Sequence, residues 1–92
     1  MRETENELAG SPRFRRGEKV QAIEEVRNDG TFPGRVKDDI LISPGDIGYV
    51  RDIGVFLQRF YIYSIEFVDL RIVVGLRAGE LCALETPERD LR

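Results

Sequence analysis

The chain has no histidine and no tryptophan, one methionine, and a single cysteine, Cys82. Each shortage excludes something. Without histidine the usual general base and the usual activator of a nucleophile are missing, so catalysis would have to rest on carboxylates, tyrosines or lysines. One thiol cannot close an internal disulfide, which fits a reducing compartment. Zinc and iron–sulfur sites draw on several Cys or His ligands, so no metal site and no cofactor are expected here. No apolar run approaches the roughly 20 residues that span a bilayer. The polar opening Met1-Arg2-Glu3-Thr4-Glu5-Asn6-Glu7 also lacks the apolar stretch of a secretory signal. The expectation is a cytoplasmic protein without a membrane partner.

Charge of one sign is in short supply as well. The 92 residues carry 14 basic and 17 acidic side chains, a net charge of −3. From Arg13 to Leu84 the eleven basic residues equal the eleven acidic ones, so the small excess of acid sits at the ends. A nucleic-acid binder shows a surplus of Lys and Arg on one face. The short cluster Arg13, Arg15, Arg16, Lys19 is answered by Glu18, Glu24 and Glu25, and reads as a solvated approach to a strand. No nucleic-acid partner is expected.

What is present is strand-like alternation broken by strong turn signals. Residues 1–12, ending in Gly-Ser-Pro, have no apolar periodicity and read as a disordered tail. Lys19-Val20-Gln21-Ala22 alternates as a half-buried strand does. A long irregular section from Glu24 to Ser43 holds Asn28-Asp29-Gly30, Pro33-Gly34 and the apolar piece Ile40-Leu41-Ile42. Ser43-Pro44-Gly45-Asp46 is a further turn signal, with proline presetting one angle and glycine accepting a positive φ after it. Ile47-Gly48-Tyr49-Val50 reads as a strand whose Gly48 marks a bulge or a close approach of another backbone. Asp52-Ile53-Gly54 then opens a short connection. The clearest strand is Tyr61 to Phe67, with Tyr61, Tyr63, Ile65 and Phe67 on one face. In Ile72 to Leu76, residues Ile72, Val74 and Leu76 share a side. Arg77 to Leu81 fits one 3₁₀ turn, and Cys82-Ala83-Leu84 a last strand in which Cys82 is a small core residue. Only Val55 to Phe60 is ambiguous between helix and strand. The fold class is all-β: a small SH3-like antiparallel barrel of about five strands over residues 13–84, with a long first loop and a terminal 3₁₀ turn, closed so that no edge is exposed. Residues 85–92 form a frayed tail.

The stretch Val26-Arg27-Asn28-Asp29-Gly30-Thr31-Phe32-Pro33-Gly34 has two readings. As a plain loop, its glycines supply turn conformations and nothing more. As a recognition surface, it displays Arg27, Asn28, Asp29, Thr31 and Phe32 beside the barrel, with Phe32 an aromatic anchor. Arg51-Asp52 likewise is either a local ion pair or a polar contact with a partner, where arginine suits a carboxylate. Of Phe56, Leu57 and Phe60, at most two face one core, which leaves an apolar residue free to extend a patch with Phe32. Asp38 and Asp39 are neighbours and point apart in an extended chain, so they form no acid–base pair. The expected partner-binding residues are Arg27, Asn28, Asp29, Phe32, Arg51, Asp52 and Phe56; no catalytic or metal residue is expected.

The same residues carry a family resemblance. Val26 to Gly34 resembles the first signature of the NifZ family of nitrogen-fixation proteins, and Gly45-Asp46-Ile47-Gly48-Tyr49-Val50-Arg51-Asp52-Ile53-Gly54 its second. Phe56-Leu57-Gln58, Phe60-Tyr61-Ile62-Tyr63 and Val74-Gly75-Leu76-Arg77 continue the match in order, across roughly residues 14–81. The resemblance implies an accessory protein of molybdenum nitrogenase that binds the immature MoFe protein and assists maturation of its P-cluster, the [8Fe–7S] centre, as a chaperone-like factor. Other assembly factors are possible partners. It implies no enzyme and no cluster carrier. The competing classes are a generic SH3-like docking subunit of a redox enzyme complex and, less favoured, a nucleic-acid-binding barrel.

Overall fold

The computed structural model describes residues 7–84. Seven antiparallel strands run in chain order: β1 (Lys19–Ala22), β2 (Val26–Arg27), β3 (Ile40–Ile42), β4 (Ile47–Phe56), β5 (Phe60–Phe67), β6 (Ile72–Leu76) and β7 (Leu81–Ala83). Single 3₁₀ turns occur at Glu7–Ala9, Val68–Leu70 and Ala78–Glu80, and the described residues contain no α-helix. The all-β expectation holds. None of the described segments is a helix long and apolar enough to cross a membrane.

The closed barrel does not form. The strands make a five-stranded sheet in the order β6-β5-β4-β1-β7 and a separate two-stranded sheet of β2 and β3. Closure requires the two ends of one sheet to pair, and here the end strands β6 and β7 do not. The physical reason is economy of length: β7 has three residues and uses them on β1, with Gln21 opposite Cys82. After Leu76 the chain turns through Ala78–Glu80 and crosses to the far side of the sheet without continuing β6.

Side-chain alternation places the core as expected. Tyr63, Ile65 and Phe67 of β5 are buried, and Tyr61 packs against the same cluster. Leu76 is buried on β6, with Ile72 and Val74 packed beside it. Val20 and Ala22 from β1, Ile42 from β3 and Leu81 from β7 complete the interior with Phe14. Cys82 is a correction: Leu81 takes the core position, and Cys82 lies half-buried on the opposite face, its sulfur 4.0 Å from Gln21 Oε1. The period-2 rule puts neighbours on opposite faces, so only one of the two could be core.

Gly48 has the close approach that its position suggested. A Cβ there would stand 2.6 Å from Ile65 Cγ2 and 2.7 Å from the Glu66 carbonyl oxygen. The longest strand departs from expectation in one place and resolves an ambiguity in another. Asp52-Ile53-Gly54 is no connection, because β4 continues to Phe56 past a bulge between Val50 and Asp52. The ambiguous Val55–Phe60 segment is a hairpin: Val55 pairs Tyr61 and Phe56 pairs Phe60, while Arg59 N–H donates to the Phe56 carbonyl at 3.0 Å. Leu57 and Gln58 turn the chain with φ of 55 and 57.

Part of the expected tail is tied down. Glu7 N–H donates to the Arg59 carbonyl (3.0 Å), Tyr61 N–H donates to Glu7 Oε1 (2.8 Å), and the Tyr61 hydroxyl donates to the Gly10 carbonyl (2.8 Å). Residues 1–6 and 85–92 lie outside the described residues.

Candidate partner-binding surface

The loop from Arg27 to Asp39 is organised by one side chain. Asn28 is only 1% exposed, the one buried polar residue among those described. Its Oδ1 accepts from the backbone N–H groups of Gly30 and Phe32, both at 3.0 Å. Its Nδ2 donates to the carbonyls of Arg35 and Val36, again at 3.0 Å. Its own backbone bridges to the far limb of the loop: Asn28 N–H donates to the Asp39 carbonyl (2.8 Å), and Asp38 N–H donates to the Asn28 carbonyl (2.7 Å). An amide with two donors and two acceptor lone pairs is the side chain that satisfies both limbs at once. Glycine at position 30, with φ of 104, supplies the left-handed turn that lets Phe32 N–H reach back.

This corrects the expectation for Asn28. A residue so buried cannot touch a partner; it shapes the surface that neighbouring residues present. Asp29 is exposed and accepts from the Thr31 hydroxyl (2.6 Å) and Thr31 N–H (3.0 Å). Those hydrogen bonds, the hydroxyl's first, hold its carboxyl below the usual aspartate range. Arg27 is exposed and bound on both sides, to Glu25 Oε2 at 2.6 Å and to the Asp38 carbonyl at 3.0 Å. Phe32 is half-buried and packs against the hydrophobic core, so it is partly structural. The aromatic identity at position 32 does not separate an anchor from a core cap; the turn that aims the ring decides it.

Arg27, Asn28, Asp29 and Phe32 come together around a cavity of about 270 Å3, whose other wall is Val73, Val74 and Gly75 of β6. The remaining three expected residues lie on β4. Arg51, at the bulge, pairs with Glu66 Oε1 at 2.8 Å. Asp52 accepts from Ile53 N–H at 2.9 Å and from Arg16 at 2.8 Å. These two contacts, the backbone one larger, hold its carboxyl below the usual range. Phe56 stands at the hairpin tip and is 52% exposed, between Val55 at 57% and Leu57 at 66%. Three consecutive apolar residues left in water are an unusual use of a loop tip. The expectation of one exposed apolar residue among Phe56, Leu57 and Phe60 holds for both Phe56 and Leu57, and Val55 joins them because the hairpin turn carries the end of β4 beyond the core.

The fold and these surfaces define a class: a small antiparallel β domain with a loop organised by one buried amide and an apolar hairpin tip. The family model described as NifZ domain matches residues 11–83, nearly all of the described chain. The chain belongs to the NifZ family, whose members serve nitrogen fixation. It is 51% identical over 83 residues to a NifZ-type sequence from Sinorhizobium fredii, covering 90% of this chain and 77% of that one. A second from Rhodobacter capsulatus is 50% identical over 72 residues, covering 78% of this chain and 92% of the relative. Protein NifZ of Azotobacter vinelandii is 40% identical over 76 residues, 83% of this chain but 48% of that protein. The chain therefore spans about half the length of the Azotobacter relative. No solved structure matches.

Proposed function

We propose that this chain is a nitrogen-fixation accessory protein that binds the immature MoFe protein and assists P-cluster maturation as a chaperone-like factor in the cytoplasm, without enzymatic chemistry of its own. The observation that carries the reading is membership of the NifZ family across residues 11–83. The sequence supports the division of labour. With one cysteine and no histidine, the chain is poorly equipped to hold an iron–sulfur cluster, so the cluster would belong to the client. The exposed Val55-Phe56-Leu57 tip and the rigid loop around Asn28 supply contact surface without requiring the protein to reorganise. A kinship with SH3-like folds stays part of this proposal. A binder of this kind shifts its client's conformations only by its difference in affinity for them.

The test is direct binding to two preparations of MoFe protein, one with immature P-cluster sites and one matured. Tighter binding to the immature form is expected, reduced by the double substitution Phe56→Ser and Leu57→Ser with no change in thermal unfolding. Equal affinity for both forms would make the chain a docking subunit instead, and binding to neither would remove the proposal.

A further inference from the structure

An open groove of about 760 Å3 runs between residues 11–16 and β4, away from the loop around Asn28. Pro12, Phe14 and Ile53 line it, and Arg13, Arg15 and Arg16 surround them. The charged segment is not a loose arm. Arg13 N–H donates to the Tyr63 hydroxyl at 2.9 Å, Arg15 N–H to Glu18 Oε1 at 2.9 Å, and Gly17 N–H to the Val50 carbonyl at 2.7 Å. Phe14 anchors it edge-on against Tyr63, with ring centres 5.3 Å apart. The backbone carrying three exposed arginines is thus held against the sheet. Asp52 pairs with Arg16, Arg13 lies 5.4 Å over the Phe14 ring, and neither Arg13 nor Arg15 has an ion-pair partner among the described residues.

We propose that this groove takes an extended segment of a partner protein in which an apolar side chain sits between carboxylates. The apolar side chain would lie against Pro12 and Ile53. Val55, two residues along the same face of β4 and largely exposed, lengthens the apolar strip. The carboxylates would meet the arginines, whose planar, multi-donor groups suit them. The aromatic ring at the groove favours this occupant over a nucleic acid: Phe14 is buried and leaves no free face there on which a base could stack. The proposal rests on the reading above in one respect: the natural occupant would be a segment of the client.

The experiment titrates the ¹⁵N-labelled chain with the fluorescent peptide Glu-Asp-Leu-Phe-Asp-Glu, with the same peptide carrying lysine at every acidic position, and with a thymidine oligonucleotide. The acidic peptide should shift the amides of Arg13 to Gly17 and Ile53. Its affinity should fall at least about tenfold in R13E/R15E, a change that leaves both side chains in solvent. Equal binding of the lysine peptide, or no shift at these amides, would overturn the proposal. So would an oligonucleotide that competes with steep salt dependence, or the same shifts appearing on self-association alone. Binding of R13E/R15E to immature MoFe protein separates the two ideas. Unchanged client binding by this variant sinks the groove and spares the proposed function, whereas a wild-type chain that ignores the client while still taking the peptide does the reverse.

Discussion

Replacing Asn28 by alanine removes four hydrogen bonds of 3.0 Å from a side chain that is 1% exposed. Each intramolecular hydrogen bond contributes about 0.5–1.5 kcal/mol net, and a buried group left without a partner costs more. The freed groups of Gly30, Arg35 and Val36 belong to exposed residues and recover water, so the sum stays toward the lower end. The expected loss is about 2–4 kcal/mol, set against a total near 5–15 kcal/mol for a domain of this kind. At roughly 4–8 °C per kcal/mol for a chain this short, the melting temperature should fall by about 8–32 °C. Urea unfolding and differential scanning calorimetry measure the loss, and hydrogen exchange locates it. The Gly30 and Phe32 amides should lose protection before those of β5. Asn28→Asp keeps the acceptor but sets a carboxylate against the carbonyls of Arg35 and Val36, so it should not rescue. A loss under about 1 kcal/mol with both amides still protected would refute the claim that this one side chain holds the loop.

Gly48→Ala should cost about 3 kcal/mol or more, because the added methyl has a backbone oxygen at 2.7 Å that cannot swing away; unchanged urea unfolding would show that β4 and β5 separate easily. Leu57→Asn with Gln58→Gly should raise stability by about 1 kcal/mol, since both positions are left-handed and these residues adopt that conformation at little cost; a lower melting temperature would mean that the apolar tip contributes packing. Asp29 and Asp52 have folded-state pKa values below the ordinary 3.8. Their contribution is present above that value and is lost as pH falls through the lower folded-state values, so Asp29→Asn and Asp52→Asn should flatten the acid limb of a stability–pH curve. Burial raises the Tyr63 phenol above its ordinary 10.0. The unfolded chain then ionises first, and stability should be steady below pH 10 and decline above it. Tyr63→Phe should lessen that decline while losing the hydrogen bond from Arg13, which is visible in alkaline melting curves.

The sequence by itself determined the clearest strands and their faces, because alternation is a local property with a period of two. The Tyr61-Tyr63-Ile65-Phe67 face, the Ile72-Val74-Leu76 side, the turn at Ser43–Asp46 and the tight approach at Gly48 were all readable from neighbours in the chain. The family signatures were readable for the same reason, being contiguous runs. Tertiary structure alone decided which edges meet. Whether the sheet closes depends on pairings between residues far apart in sequence, such as Gln21 with Cys82, and no local pattern encodes them. It also decided the meaning of polar residues in loops. Asn28 and Asp29 are adjacent and alike in chemistry, yet one is buried among backbone groups from both limbs of the loop and the other faces water. Arginines 13, 15 and 16 read as a solvated cluster until Tyr63, Val50 and Ile53 arrived from distant strands to fix them around a groove. Burial is a sum over the whole fold, and that sum exists only once the chain has closed on itself.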